Sequence, residues 1–248
     1  MADEDALEDA ATLVTGASSG IGAATAHRFA AAGGDVALAS RSEDALASLA
    51  DEIEAATDAT ALVLPTDVTD ESAVEAAVDE TVAAFGGLNV VVSNAGLGRD
   101  APVEEMTTEQ YRTMMDVNCD GMFFVSRAAI PHLRATGGNL IFVASFAGEY
   151  PRPGSPVYAA TKWWTRGLAH SLAGSVGEDG VGVTVVNPTE VRTQFGDAEG
   201  DAQAERFAPG EVTEPDEVAD AIAFAARQEP PNVVHELDLY RRDKLSHF

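Results

Sequence analysis

The sequence predicts an α/β fold in which a doubly wound, parallel sheet carries helices on both faces. Short apolar, β-branched runs alternate along the chain with alanine-rich stretches of helical period, which is the pattern of βαβ units. Runs such as Leu88–Val92 are apolar throughout, as expected of strands covered on both faces of a parallel sheet. A glycine-rich turn separates the first such run from a helical pattern.

The elements are predicted in chain order from these alternations. The strands are Thr12–Thr15, Asp35–Ala39, Ala61–Leu64, Leu88–Ser93, Asn139–Ala144, Val183–Val186 and Val233–Leu237. The helices between them are Ile21–Ala32, Ser42–Ala56, Glu71–Phe85, Thr108–Thr136, Val157–Ser175 and Pro215–Arg227. Asp70 is a start signal for the third helix, and Thr213 with Pro215 is one for the last.

The whole chain, residues 1–248, is expected to form a single domain. Its length is common for one α/β domain, and the sequence shows no repeat, low-complexity tract or interdomain linker. One long irregular segment, Pro188–Gly210, is rich in glycine and acidic residues. Loops of that length in compact domains are usually functional or disordered, so we interpret residues 188–210 as a lid over the substrate.

The turn after the first strand has the composition of a phosphate-binding turn. Its glycines let a pyrophosphate approach the backbone, and the following helix N-terminus offers free N–H groups and a partial positive charge. The spacing is GxxxGxG rather than the GxGxxG of the usual dinucleotide fingerprint. With a strand before it and a helix after it, the turn is predicted to bind a dinucleotide through Gly16, Ser18, Ser19, Gly20, Ile21 and Gly22.

Three motifs together resemble the short-chain dehydrogenase/reductase family. They are the Gly16–Gly22 turn, Asn94-Ala95-Gly96 after the fourth strand, and a Tyr-x-x-x-Lys pair made of Tyr158 and Lys162. The similarity spans roughly residues 10–240, with the motifs in the family's order and at its separations. It implies a Rossmann-like, seven-stranded sheet and an oxidoreductase that interconverts a carbonyl and a secondary alcohol by hydride transfer.

The resemblance also implies further contacts to a nicotinamide cofactor. Asn94, Ala95 and Gly96 would shape the floor under it, and Asp67 with Val68 would contact its adenine, although Asp67 taken alone is only a loop acid. After the sixth strand, Pro188 opens a motif in which Val191 and Thr193 match positions that contact the carboxamide. Thr189 replaces the family's usual glycine in that motif, which leaves the geometry of the substrate pocket open.

The end of the second strand indicates which nicotinamide cofactor is used. In dinucleotide folds an acid there binds the ribose 2′-OH of NAD, whereas an arginine accommodates the 2′-phosphate of NADP. Ser40 occupies the position of the acid and Arg41 follows it. A hydroxyl beside a bidentate cation suits a phosphate monoester, so we predict NADP(H). The alternative is that Arg41 merely opens the next helix.

Tyr158 and Lys162 are predicted to be the catalytic pair. Four residues apart on a helix, they lie on one face, and a nearby cation is expected to lower the high pKa of the phenol. In the family the same lysine also binds the nicotinamide ribose. Ser145, at the end of the fifth strand, would donate to the carbonyl oxygen, and Asn118 matches the asparagine that holds a proton-relay water.

The substrate is not fixed by these motifs. The C-terminal segment, with Val233–Leu237, lacks the Gly-Gly ending common in 3-oxoacyl-carrier-protein reductases and resembles the branch that acts on 3-hydroxy acids. Arg152 and Arg192 are candidate clamps for a carboxylate. The alternatives are a 3-oxoacyl-carrier-protein reductase and a non-catalytic NADP-sensing protein, although such regulatory relatives typically lose the tyrosine or the lysine.

The charge of the chain is strongly negative, at −26, and only Lys162 and Lys244 are lysines. Such a surface should repel nucleic acid and anionic membranes, and it resembles proteins of salt-accumulating halophilic microbes. Residues 1–11 lack the pattern of a signal peptide, and no apolar run reaches the roughly 20 residues of a membrane helix. With one cysteine, Cys119, and no metal-ligand spacing, we expect a cytoplasmic, metal-free protein. The family resemblance implies a homodimer or homotetramer that acts on a small molecule.

Overall fold

A computed structural model describes residues 7–196 and 202–247 of the chain. Seven strands form one sheet, in which every neighbouring pair is parallel and the order is β3-β2-β1-β4-β5-β6-β7. The strands are β1 Ala11–Thr15, β2 Asp35–Ser40, β3 Ala61–Pro65, β4 Val90–Ser93, β5 Asn139–Val143, β6 Gly182–Pro188 and β7 Glu236–Leu239. The predicted doubly wound, seven-stranded parallel sheet is confirmed.

Helices cover both faces of this sheet. They are α1 Gly20–Ala30, α2 Glu43–Ala56, α3 Glu71–Phe85, α4 Thr108–Met115, α5 Gly121–Thr136, α6 Pro156–Val176, α7 Gln203–Arg206 and α8 Pro215–Ala226. One apolar cluster joins α1, α2 and α8 to the sheet, with Phe29, Ile53 and Ile222 fully buried. The other joins α3, α5 and α6 to the opposite face, around Leu133 and Phe142. Burial on both faces explains why the central strands are apolar throughout.

The helix starts agree with the capping residues that the sequence offers. The Asp70 carboxylate accepts hydrogen bonds from the backbone N–H groups of Ser72 and Ala73, as expected of an N-cap. At α8, which begins at Pro215, the N-cap is Glu214 rather than Thr213. Glu214 forms a capping box with Glu217.

Two elements differ from their predicted form. The helix predicted over Thr108–Thr136 is interrupted by a π-helical turn at Asp116–Asp120, a type of distortion that is frequent at functional sites. The last strand is Glu236–Leu239 rather than Val233–Leu237, because pairing with β6 begins at Glu236. Because Glu236 and Asp238 are polar, this strand does not appear in the sequence as an apolar run.

The predicted lid is only partly irregular. Val191 forms an isolated parallel bridge with Thr213, and α7 interrupts the segment at Gln203–Arg206. Residues 197–201 of the predicted lid lie outside the described residues. In the part of the chain that the structure describes, no helix is both long and apolar enough to cross a membrane.

The topology determines where a ligand can bind. β2 and β3 lie on one side of β1 and the remaining strands lie on its other side, so the strand order reverses between β1 and β4. Ligands of open α/β sheets bind beyond the carboxyl ends of the strands at such a switch point. β1 ends at Thr15 and β4 at Ser93, so the glycine turn and Asn94 follow neighbouring strand ends. Ser145 lies beyond β5 at the same edge.

Candidate active site

The glycine turn is packed so closely that side chains are excluded from it. Gly16 has a φ of 65°, and a Cβ atom there would lie 2.9 Å from the Cα of Ala95. A Cβ on Gly22 would lie 2.2 Å from the Gly16 carbonyl oxygen. The Asn94 side-chain amide donates to the carbonyl oxygens of Thr15 and Gly16, at 2.9 and 3.2 Å. These contacts hold the turn as a backbone-lined cradle.

The N-terminus of α1 is open toward this cradle. Ser19 is its N-cap residue in extended backbone, and its hydroxyl caps none of the described N–H groups. No acidic residue stands in the first turn of the helix to neutralise its partial positive charge. An anion can therefore accept hydrogen bonds from the backbone of residues 18–21, which is what a pyrophosphate requires.

A cavity of about 910 Å³ runs from this turn across the strand ends. Most of the predicted site residues line it, namely Gly16, Ser18, Ser19, Gly20, Ile21, Ser40, Arg41, Asp67, Val68, Asn94, Ala95, Gly96, Ser145, Tyr158, Lys162, Pro188, Val191 and Thr193. Two of the predicted residues do not. Gly22 is buried behind the turn, and Asn118 is buried completely beneath the cavity wall. Both act on the site through their neighbours.

The far end of the cavity contains the residues that were predicted to select the cofactor. Arg41 is exposed at its rim and forms no ion pair with another described residue. Ser40 is buried, and its hydroxyl accepts from the backbone N–H of Ser42 at 3.3 Å. Asp67 accepts from both the N–H and the hydroxyl of Thr69, at 3.0 and 2.8 Å. The one cationic side chain at this end is therefore available to an anion.

The opposite end holds the predicted catalytic residues. Ser145 and Tyr158 both line this end, where interaction with the Ser145 hydroxyl opposes the rise that burial causes in the pKa of Tyr158, and the Ser145 hydroxyl accepts from the N–H of Ala147 at 3.1 Å. The Lys162 ammonium donates to the carbonyl oxygen of Val143 at 3.0 Å and lies 5.9 Å from the centre of the Tyr158 ring. The spacing of four residues thus places both side chains on one face of α6.

The expected effect of Lys162 on the tyrosine is not found. Burial raises the pKa of Tyr158 above its ordinary value, and the hydrogen bond with Ser145 and the charge of Arg152 offset this only in part. Burial also lowers the pKa of Lys162 to about 8. Removal from water is therefore the largest effect on both pKa values, and each group is shifted toward its neutral form.

Asn118 lies in the π-helical turn and fastens two parts of the site together. Its amide oxygen accepts from the N–H of Leu97 at 2.9 Å, while its amide nitrogen donates to the Leu97 carbonyl oxygen and to the Thr161 hydroxyl. Leu97 follows the Asn94–Gly96 motif, and Thr161 precedes Lys162 on α6. Asn118 thereby positions Lys162 and the cavity floor, and it does so from a fully buried location.

The segment after β6 closes the cavity over the glycine turn. The Thr193 methyl group lies against Gly20, and the Thr193 N–H donates to the carbonyl oxygen of Val191 at 2.8 Å. Thr189, which replaces the family's glycine, donates its N–H to the Leu239 carbonyl oxygen and accepts from the Arg241 N–H with its hydroxyl. The substitution therefore ties the cavity wall to the segment after β7.

Some residues of the site were missed by the sequence analysis. The Phe195 ring lies 5.7 Å from that of Tyr158, and Gly98 fits closely between these two rings. Glu190 lines the cavity and is bound by Lys244, whose ammonium also lies 4.9 Å from the centre of the Phe146 ring. The rarity of lysine was a usable signal for Lys244, but no local pattern marks Phe195 or Gly98.

The two arginines suggested as carboxylate clamps have different surroundings. Arg152 lines the cavity near Tyr158. Arg192 is not among the cavity-lining residues, and its Nε atom donates to both carboxylate oxygens of Glu214 at 2.9 Å. Only Arg152 is therefore placed to contact a substrate.

The fold, the backbone cradle and the Ser–Tyr–Lys group define a dinucleotide-dependent oxidoreductase. The sequence model of the short chain dehydrogenase family matches residues 10–204. The chain belongs to this family.

Two characterised relatives illustrate the range of the family. Sulfoacetaldehyde reductase 2 of Chromohalobacter salexigens is 38% identical over 74% of this chain and 73% of its own length. Trans-4-hydroxycyclohexanecarboxylate dehydrogenase of Sinomonas cyclohexanicum is 33% identical over 91% of this chain and 88% of its own length. Both are oxidoreductases by name, with different substrates.

Solved structures share the fold over nearly the full length. A short chain dehydrogenase from Burkholderia cenocepacia, in complex with NADP, has a TM-score of 0.85 at 32% identity and covers 94% of this chain and 97% of its own. A 3-ketoacyl-(acyl-carrier-protein) reductase from Brucella melitensis, complexed with NADH, has a TM-score of 0.83 at 30% identity and covers 94% and 98%. One of these two structures thus contains NADP and the other contains NADH.

Proposed function

We propose that the chain is an NADP(H)-dependent reductase or dehydrogenase that acts on a small-molecule carbonyl or secondary alcohol through Tyr158. One observation carries the proposal: Ser145, Tyr158 and Lys162 line the same cavity, where Ser145 affects the pKa of the Tyr158 phenol and the Lys162 ammonium lies 5.9 Å from the ring. Ser145 comes from the end of β5 and Tyr158 from α6, so two separate elements bring these groups to one point. A carbonyl oxygen bound there would meet two hydroxyl donors.

The roles of the side chains follow from their protonation. Tyr158 keeps its proton at neutral pH because burial raises its pKa, so the phenol serves as the acid that protonates the carbonyl oxygen during reduction. Ser145 donates to the same oxygen as negative charge develops on it. A bound nicotinamide supplies the hydride. In alcohol oxidation the tyrosine oxygen, as the phenolate, accepts the alcohol proton.

Cofactor selection is assigned to Arg41. Its guanidinium is exposed at the cavity rim without an ion-pair partner among the described residues, so binding a 2′-phosphate breaks no existing bond. Ser40 lies beside it where an NAD-binding fold has an acid. The cradle of Gly16, Ser18, Ser19, Gly20 and Ile21 would hold the pyrophosphate, Asp67 and Val68 the adenine, and Pro188, Val191 and Thr193 the nicotinamide end.

Two other functions fit this fold. A 3-oxoacyl-carrier-protein reductase is supported by the likeness to the Brucella structure, while the relatives named above are named for sulfoacetaldehyde and for a hydroxycyclohexanecarboxylate. A non-catalytic NADP sensor is disfavoured, because it has no need of Ser145 and Tyr158 in one cavity beside a buried lysine. The carbonyl reductase remains the proposal.

The assembly is proposed to be a homodimer or homotetramer. Large aromatic side chains are exposed on α4, α5 and α6, and they are Tyr111 at 39%, Phe123 at 41%, Trp163 at 48% and Trp164 at 38%. Such a set on neighbouring helices suits burial against a second subunit. Residues 1–248 are proposed to act as one domain, with the 188–210 segment as its substrate loop.

The source and compartment are also proposed. A charge of −26 with two lysines suits the salt-rich cytoplasm of a halophilic microbe, and one of the relatives comes from Chromohalobacter salexigens.

The proposed activity can be tested directly. Purified protein would be incubated with NADPH and ketones, 3-oxo acids or 3-oxoacyl thioesters, and loss of NADPH absorbance would be followed. Reduction of at least one class supports the proposal, and reduction of none, with NADPH bound, contradicts it.

A further inference from the structure

Three arginines besides Arg41 line the cavity. They are Arg99, Arg152 and Arg206, each from a different segment of the chain. Across the whole chain, 41 acidic residues face only 15 lysines and arginines. Three arginines in the lining of one cavity are therefore more than the composition of the protein would lead one to expect.

Two of these arginines come from segments near Tyr158. The charge of Arg152 acts on the Tyr158 phenol, opposing the effect of burial on its pKa. Arg99 follows Gly98, and a Cβ atom on that glycine would lie 3.4 Å from Cδ2 of Tyr158. The Arg99 Nη1 atom donates to the Gly98 carbonyl oxygen at 3.0 Å. Arg99 thus lines the cavity from the loop after β4, and Arg152 lines it from the segment before α6.

The acidic residues of this wall are already engaged. Asp100 accepts a hydrogen bond from the Ser155 hydroxyl. Burial alone would raise the pKa of Glu190, but the hydrogen bond from Lys244 holds that pKa below its ordinary value. Arg152 Nη1 lies 3.9 Å from Glu190 Oε1, which is longer than a hydrogen bond. Lys244 thus binds the Glu190 carboxylate more closely than Arg152, which keeps only a long ion pair with it.

We propose that the substrate is a small carbonyl compound that carries an oxyanion group, and that Arg152 and Arg99 bind this group beside Tyr158. The inference rests on the proposed function and specifies its substrate class. A planar guanidinium binds carboxylates and related oxyanions through two parallel hydrogen bonds, which fixes orientation as well as affinity. With the anion held by the arginines, the carbonyl oxygen is directed to the hydroxyls of Ser145 and Tyr158.

The test compares carbonyl compounds that differ only in charge. One pair is 3-oxobutanoate and 3-oxobutanamide, and the second is 2-oxopropanesulfonate and its sulfonamide. We expect kcat/KM with NADPH to be at least about tenfold higher for the anionic member of one pair or both. The carboxylate and sulfonate arms tell which oxyanion is preferred, and preference for either supports the inference.

Two variants test whether the arginines cause that preference. Arg152→Gln and Arg99→Gln should each lower kcat/KM for the anion about tenfold more than kcat/KM for the amide. Arg134→Gln is the matched control, because it removes the same charge from a surface pair with Asp179, formed at 2.8 Å. Titration of butanoate into the protein–NADP⁺ complex gives a readout independent of turnover: binding should be lost in Arg152→Gln and kept in Arg134→Gln.

The outcomes separate the two proposals. Equal kcat/KM for the charged and neutral members would overturn the inference and leave the proposed function intact, because carbonyls are still reduced. A preference for anions that survives both arginine substitutions would overturn the arginine clamp. Failure to reduce any of the four compounds or any of the wider carbonyl panel, with NADPH bound, would overturn the proposed function and this inference with it.

Discussion

The Lys162 ammonium donates a hydrogen bond to the Val143 carbonyl oxygen at 3.0 Å, and this bond joins α6 to the end of β5. Tyr158 is on α6 and Ser145 lies two residues beyond Val143, so the same bond aligns the two hydroxyls that meet in the cavity. The lysine is almost fully buried, at 4% exposure, and burial lowers its pKa to about 8. Its charge state should therefore change within an accessible pH range.

This pKa leads to an expected pH profile for reduction. Reduction requires a protonated Tyr158, whose pKa burial raises, and a charged Lys162, which persists below a pH of about 8. We expect kcat/KM for NADPH, which reports groups of the free enzyme, to be flat below that pH and to fall above it. A profile that instead rises through pH 8 would show that the neutral lysine is the active form.

Arg41 should determine the choice of cofactor. Wild-type protein should bind NADPH at least about tenfold more tightly than NADH, a difference of roughly 1.4 kcal/mol. Arg41→Ala should remove most of that preference and leave NADH affinity unchanged, because NADH has no 2′-phosphate. Fluorescence titration with both cofactors provides the measurement and its internal control. Equal affinities in the wild type would end the assignment.

The glycine turn should tolerate no side chain at Gly22. A Cβ atom there would lie 2.2 Å from the Gly16 carbonyl oxygen, so Gly22→Ala must displace the turn. Such overpacking costs about 1–3 kcal/mol, and NADPH affinity should fall at least about tenfold. Gly174→Ala is the control, since no atom lies within 4 Å of its added carbon. Undiminished NADPH binding by Gly22→Ala would contradict the cradle.

Salt should stabilise the protein. A charge of −26 repels itself in the compact state, and about 2 M KCl screens that repulsion over a few ångströms. We expect the melting temperature to rise steeply between about 0.1 and 2 M KCl, with oligomers forming over the same range. Sizing and melting curves at both salt levels provide the check. Stability and assembly that are unaffected by salt would refute the halophilic origin.

Much of the fold could be predicted because its signals are local. Strands such as β4 and β5 are apolar runs, and Asp70 marks its helix start through its own side chain. The strand at Glu236–Leu239 was misplaced because its side chains bond to distant partners: Arg166 and Asn187 both bind the Glu236 carboxylate. The π-helical turn around Asn118 likewise follows from contacts with Leu97 and Thr161, which spacing does not reveal.

In the candidate site, too, the local motifs could be predicted from the sequence and the long-range contacts could not. The glycine turn and the Tyr158–Lys162 pair are short motifs, so the sequence indicated most of the residues that line the cavity. The direction of the Tyr158 pKa was wrong because it depends on burial, which spacing along a helix does not reveal. The Glu190–Lys244 pair was missed because its members are 54 residues apart.

The most direct test of the account is Tyr158→Phe, which removes one hydroxyl from a ring that otherwise keeps its contact with Phe195. We expect turnover to fall about 100- to 10,000-fold with NADPH affinity nearly unchanged, because only the proton donor is lost. Tyr111→Phe, on the exposed surface of α4, is the matched control and should retain wild-type turnover. If Tyr158→Phe kept about a tenth of wild-type turnover, Tyr158 would not be the catalytic acid.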